Sequence, residues 1–161
     1  GDATAYQLVR EHFAFLGGVI RAGKGSIVKT IGDSVMAAFN DPADAALAAL
    51  AVQRQVHEFN RTSSSEDIVI KVGVHNGPCI AVTLSERFDY FGSTVNMAAR
   101  LQGESRGGDI VLSQSMLDDP AVAAILAGQE ITLERDNIKG FEAAVAFGRL
   151  TLKDADSGSV E

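Results

Sequence analysis

Apolar residues dominate the stretch KTIGDSVMAAF, residues 29–39, yet it carries one lysine, Lys29, and one aspartate, Asp33, four positions apart. Ile27, Val28, Ile31, Val35, Met36 and Phe39 read as two short buried strands, with Gly32-Asp33 as the tight turn between them. Buried charges are costly unless they are paired or bound to metal. An ammonium and a carboxylate placed here are therefore either mutual compensation or part of a site. Asp33 has a local explanation as well, because aspartate at a turn tip bonds nearby backbone. Lys29 could snorkel from an edge strand.

A second group of candidates lies in FDYFGSTVNMAARL, residues 88–101. Asn96 and Arg100 are four apart, so on a helix they project from one face. An amide beside a guanidinium can hold a sugar oxygen and a phosphate together. A solvated helix face would show the same pair. Asp89 reads as part of a glycine-bounded loop just upstream. Lys139-Gly140 adds a polar point in a late loop, and alone it means little.

These residues need elements to position them. Leu8, Val9, Phe13, Leu16 and Ile20 recur at helical spacing, which predicts a helix over about 4–22, ended by Gly23 and Gly25. Asp41-Pro42 supplies an N-cap and a first-turn proline for a helix running to about Phe59. The polar run Arg61 to Glu66 reads as a loop. Ile68 to Val74 and Pro78 to Leu84 read as strands joined by a His75-Asn76-Gly77 turn, and His75 is given no catalytic role. Ser93 is expected to cap a helix through about Gln102. Ile110 to Leu112, Ile131 to Leu133 and Ala144 to Leu152 are strand candidates, and Ala121 to Leu126 a short helix. Hairpins mixed with separate helices predict an α+β fold, with helices covering a mostly antiparallel sheet. No repeat or linker divides the chain, and the tail after Lys153 is expected to fray.

Composition narrows the function. A chain of 161 residues with 46% hydrophobic and 22% charged content suits one soluble domain. The formal charge of −7 argues against a nucleic-acid partner, because phosphate backbones reward basic faces. An anionic small ligand stays possible if metal ions or a few placed cations offset that field. Cys79 is the single cysteine, which fits a reducing, cytoplasmic setting without disulfides. No run approaches the roughly 18 apolar residues of a membrane span.

In order along the chain, KTIGDSVMAAF, VGVHNGPCI (72–80), FDYFGSTVNMAARL, GGDIVLS (107–113) and IKGFEAAV (138–145) together resemble the class III nucleotidyl cyclase catalytic domain. Each match alone is weak, and five in sequence are specific. The resemblance implies a ferredoxin-like cyclase fold over residues 1–153, with 154–161 a flexible tail. It implies conversion of ATP to 3′,5′-cyclic AMP and pyrophosphate for intracellular signalling, at sites shared between the subunits of a homodimer. By the same resemblance Asp33 is one of two metal-binding aspartates for Mg²⁺ or Mn²⁺, two ions per site. Lys29 and Asp89 read the adenine edge, Asn96 orients the ribose, Arg100 stabilises charge on the α-phosphate, and Lys139 binds the terminal phosphates.

There is one departure. The family's other metal aspartate lies in a strand motif like D-x-x-G-F-T or D-x-x-G-S-T before the first helix, and this chain opens at Gly1-Asp2-Ala3-Thr4. The role is not transferred to Asp2; that aspartate and its strand are expected upstream of Gly1. Two alternatives accompany the adenylate cyclase reading: a guanylate cyclase, and a catalytically inactive cyclase-homology module for nucleotide binding or dimerisation. Gly107-Gly108-Asp109, which resembles a diguanylate cyclase signature, leads into an apolar strand and reads as a turn and strand start.

Overall fold

The computed structural model describes residues 2–31, 34–62, 67–77, 80–84, 87–136 and 144–152, with backbone alone for 2–10, 80–84 and 87–91. Asp33, Lys139 and the tail from 154 lie outside the described residues. The elements run α1 (Asp2–Ala22), β1 (Ser26–Ile31), β2 (Ser34–Ala38), α2 (Pro42–Thr62), β3 (Val72–Val74), β4 (Ile80–Leu84) and β5 (Arg87–Phe91). They continue with α3 (Ser93–Glu104), β6 (Asp109–Ser113), α4 (Gln114–Asp118), α5 (Pro120–Leu126), β7 (Glu130–Asp136) and β8 (Val145–Thr151). The α+β expectation holds. β1-β2 and β4-β5 are antiparallel hairpins, and a four-stranded sheet has the order β3-β6-β8-β7. Only the β3–β6 pair of that sheet is parallel.

Alternation along β6 and β8 divides the core into two layers. Ile110, Leu112 and Leu150 face α2, α4 and α5, where they pack with Ala46, Ala49, Leu50, Met116, Val122 and Leu126. Val111 and Phe147 face the other way and bury Leu101 of α3, with Met97 and Val145 alongside. Leu101 is fully buried, so its truncation to alanine would cost about 2–5 kcal/mol. A third cluster joins Leu16, Val19 and Ile20 of α1 to Val52 and Val56 of α2, against the inner face of the β1-β2 hairpin.

Several boundaries differ from the sequence reading, each for a physical reason. α2 continues through Arg61 and Thr62, where Arg61 pairs with Glu58 at 2.7 Å and the Thr62 hydroxyl bonds back to the Glu58 carbonyl at 3.0 Å. The predicted strand over Ile68 to Val74 shrinks to Val72–Val74 because α2 amides take over its backbone groups. Asn60 donates to the Ile68 carbonyl and accepts from its N–H, both at 2.8 Å. Buried Gln53 donates to the carbonyls of Ile70 and Asp109, at 2.9 and 2.8 Å, and the Ile70 carbonyl also accepts from the Gly108 N–H at 3.0 Å, so the two segments are tied together just before the β3-β6 ladder begins. Lys24, rather than a glycine, takes the left-handed position that closes α1. Its N–H bonds Arg21 and that of Gly25 bonds Ile20, a Schellman pattern. α4 is an unpredicted helix, capped by the Ser113 hydroxyl.

One buried charge cluster ties α3 to the sheet. Arg149 on β8 donates through Nη1 to Asp109 Oδ2 at 2.5 Å and to the Glu104 carbonyl at 3.0 Å. Its Nε and Nη2 reach the Glu134 carboxylate at 2.6 and 3.3 Å. Asp109 also accepts from the Ser105 hydroxyl and from the Arg106 N–H. Burial alone would raise the Asp109 carboxyl, but the bonds from Ser105, Arg106 and Arg149 outweigh it and hold it below the usual carboxylate range. The Arg149 hydrogen bond likewise lowers Glu134.

A pKa lowered by folding contributes stability that is present above the unfolded carboxylate value and is lost as pH falls through the folded one. Thermal midpoints should therefore drop steeply from about pH 4 downward. Asp109→Asn should be less stable at neutral pH and show a flatter acid slope. An acid slope equal to that of the unsubstituted protein would contradict this assignment.

Candidate active site

The ladder of the first hairpin decides where Lys29 points. Ile27 pairs with Ala37 and Lys29 with Met36, so Val28 is an extra residue, a β-bulge. Cross-strand partners share a face. Ile27, Val35, Ala37 and Phe39 cover the core of α1 and α2, whereas the bulge moves Lys29 to the opposite face with Met36, Ile31 and Ser34. That face is open in the single chain: Ile31 is 59% exposed and Lys29 half-buried. The hairpin is thus one-sided, where the sequence reading expected a buried one. Ile31 pairs with Ser34, and the two residues between them in sequence, Gly32 and Asp33, lie outside the described residues.

Asp89 lies on a strand, β5, and not in a loop as its glycine neighbours suggested; it pairs with Val82 of β4. β1 lies against β5, so the strands carrying Lys29 and Asp89 are neighbours. The chain leaves β5 through Gly92, whose φ of 127° falls where side chains other than glycine's are strained. Gly92 is the N-cap of α3, and Ser93, the expected cap, is instead the first helical residue. Asn96 and Arg100 both lie on α3, one turn apart and both exposed.

Two residues that support α3 were not singled out from the sequence. A Cβ on Gly73 of β3 would lie 2.2 Å from the Gln102 amide nitrogen, so the helix backbone rests directly on the strand. A glycine inside a strand is the available signal for such an approach. Arg149 is the other; an arginine in an apolar strand announces a buried partner only when that partner is known. His75 is half-buried at the end of β3, where Nδ1 lies 3.3 Å from the Ser115 hydroxyl of α4, and burial lowers its pKa.

The described residues do not by themselves form a cation site: no three His, Cys, Asp or Glu side chains gather among them. A cavity of about 380 Å³ between α1 and α2 is lined by Val19, Leu47, Ala48 and neighbours, and by none of Lys29, Asn96 or Arg100. Among the described residues no helix is long and apolar enough to cross a membrane.

Residues 3–139 match the profile of the adenylate and guanylate cyclase catalytic domain. The chain belongs to this family. The cyclase domain is 34% identical over 91% of its length to Adenylate cyclase 1 of Rhizobium meliloti, of which it spans only 23%. An adenylate/guanylate cyclase/hydrolase structure from Silicibacter pomeroyi superposes with a TM-score of 0.75 at 24% identity, covering 94% of this chain and 86% of that one. The guanylyl cyclase Cya2 superposes with a TM-score of 0.81 at 16% identity, covering 96% of this chain and 84% of that one. These likenesses establish the class III cyclase fold. The open hairpin face of this cyclase domain carries Lys29, and the exposed face of α3 carries Asn96 and Arg100.

Proposed function

We propose that this domain, residues 1–153, is a cytoplasmic adenylate cyclase that converts ATP to 3′,5′-cyclic AMP and pyrophosphate. The observation that carries the base assignment is the Val28 bulge, which turns Lys29 to the open face beside the strand of Asp89. A lysine donating to a ring nitrogen and an aspartate accepting from an exocyclic amine match adenine, and guanine presents the reverse pattern. The ribose 3′-oxygen attacks the α-phosphorus in line and pyrophosphate leaves. Little covalent chemistry falls to the protein, so positioning and charge stabilisation do the work. Asn96 holds the ribose, Arg100 meets charge developing on the α-phosphate, and Lys139 binds the terminal phosphates. Asp33 would hold Mg²⁺ or Mn²⁺, which supplies Lewis-acid stabilisation of the triphosphate when bound. Membership of the family supports that role.

The domain works as a homodimer. Asn96 and Arg100 face outward from one chain, Lys29 lies half-buried on the open hairpin face, and a catalytic cleft needs a wall opposite them. A symmetric partner would supply that wall twice, which gives two equivalent sites.

The decisive assay gives the protein ATP and GTP in competition with Mn²⁺ present. A site built to hydrogen-bond one base edge leaves buried groups unpaired with the other. ATP should be preferred by at least about tenfold. Lys29→Ala should narrow that preference. Equal or faster turnover of GTP would overturn the base assignment in favour of a guanylate cyclase, and inactivity towards both would favour a nucleotide-binding module.

A further inference from the structure

We propose that Arg149 is a positioning residue for the cyclase reaction, holding the C-terminal end of α3 and through it Arg100. The inference rests on the reading of Arg100 given above. The last carbonyls of any helix lack partners within the helix and favour a nearby cation. α3 has no basic residue in its last turn and carries Gly103 there, so its own sequence supports that end poorly. Arg149 supplies the missing donor from β8, through its Nη1 bond to the Glu104 carbonyl. Glu104 is one turn beyond Arg100, on the same i, i+4 row.

The grip is fixed on every side. Glu134 takes Nε and Nη2 of Arg149, and Asp109 shares Nη1 with the Glu104 carbonyl. Asp109 also ties Ser105 and Arg106, the two residues that follow the helix. At the opposite end the N-cap is Gly92, which offers no side-chain hydrogen bond. The helix is thereby anchored within one turn of Arg100. Stability alone does not call for this arrangement. Buried ion pairs are often replaceable by apolar residues without loss, and Phe147, on the same face of β8, already packs Leu101. A planar fork with fixed donor directions is what an anchor needs, and a lysine cannot reproduce it.

The test is a double-mutant cycle of Arg149→Lys with Arg100→Ala, read by steady-state kinetics and by amide hydrogen exchange of the whole protein. Arg149→Lys should lower kcat about 10- to 100-fold with KM within about twofold, since small misplacements remote from the chemistry act on turnover. It should speed exchange over Leu101 to Ser105. In the Arg100→Ala background it should cause no further loss, because both changes act on one interaction. Losses that multiply across the cycle, or a folded Arg149→Lys protein with unchanged kcat and unchanged exchange, would overturn the proposal. Full turnover by Arg100→Ala alone would refute the reading of Arg100 instead, and faster exchange at the end of α3 in Arg149→Lys would still establish the anchor. If Arg149→Lys does not fold, Glu134→Gln replaces it, removing a fork partner at the rim of the cluster without stranding a buried charge. It should give a smaller loss of the same kind, and a loss multiplying with Arg100→Ala would again overturn the idea.

Discussion

Arg100→Ala is expected to lower turnover by about 10²–10³, the usual effect of removing one donor to charge that develops in the transition state. Substrate affinity should change far less. A group that acts mainly on the transition state lowers kcat and kcat/KM together and leaves KM nearly alone. Folding should be unaffected, because Arg100 is exposed and the helix is held by buried Leu101 on another face. A thermal midpoint equal to that of the unsubstituted protein, measured beside the kinetics, separates this effect from unfolding. If KM rises and kcat is untouched, Arg100 serves ground-state binding and the transition-state role is wrong.

The same proposal makes a sharper statement about two chains. Asp33→Ala should abolish activity by a different route, loss of metal affinity, and added Mn²⁺ should rescue it only at high concentration. If Asp33 and Arg100 act in one site but come from different subunits, mixing the two inactive variants restores activity. Each mixed dimer then has one site with both lesions and one with neither. Recovery should approach half of the specific activity in the fraction that forms mixed dimers. No recovery in demonstrated mixed dimers would place both residues in one subunit, and the shared-site reading would fall.

What the sequence disclosed about this site follows from which forces are local. Four-residue spacing placed Asn96 and Arg100 on one helix row, because that depends on helix geometry alone. The pairing of the two strands followed from hairpin grammar, and the ladder from Ser26 to Ile31 against Ser34 to Ala38 shows it, while the Gly32-Asp33 tip lies outside the described residues. The bulge at Val28 was not legible. A bulge changes no composition, yet it reverses the face on which Lys29 lies. The apolar residues of the hairpin also suggested burial on both sides. In one chain only Ile27, Val35, Ala37 and Phe39 find a core, and Ile31 is left exposed. The strand predicted over Ile68 to Val74 failed for a related reason. Its β-branched residues suit a strand, but Asn60, distant in sequence, takes both backbone groups of Ile68, and Gln53 shares the Ile70 carbonyl with the Gly108 N–H. Asp89 was misplaced because flanking glycine was weighed above the Phe88-Tyr90-Phe91 aromatics that favour β5.

Gly73→Ala should damage both the fold and the reaction, although it adds a single methyl group. The new carbon would lie 2.2 Å from the Gln102 nitrogen, 2.7 Å from its Cα and 2.8 Å from the Leu101 carbonyl carbon. These are backbone atoms of a helix, so no side-chain rotation relieves them. Either β3 bends away from β6, breaking its short parallel ladder, or α3 moves off the sheet. Overpacking of this kind costs about 1–3 kcal/mol or more. A shift of α3 by about an ångström would also carry Arg100 with it, and misplacement on that scale can cost about 10² in turnover. Gly103→Ala is the matched control. It lies on the same helix with nothing within 4 Å of its would-be Cβ, so relief of glycine's chain entropy should stabilise the protein by up to about 0.5–1 kcal/mol. Thermal unfolding should therefore move in opposite directions for the two alanines, with activity lost only in the first. If Gly73→Ala unfolds at the temperature of the unsubstituted protein and turns over normally, α3 does not rest on β3 as closely as described, and the account of how this helix is held must be abandoned.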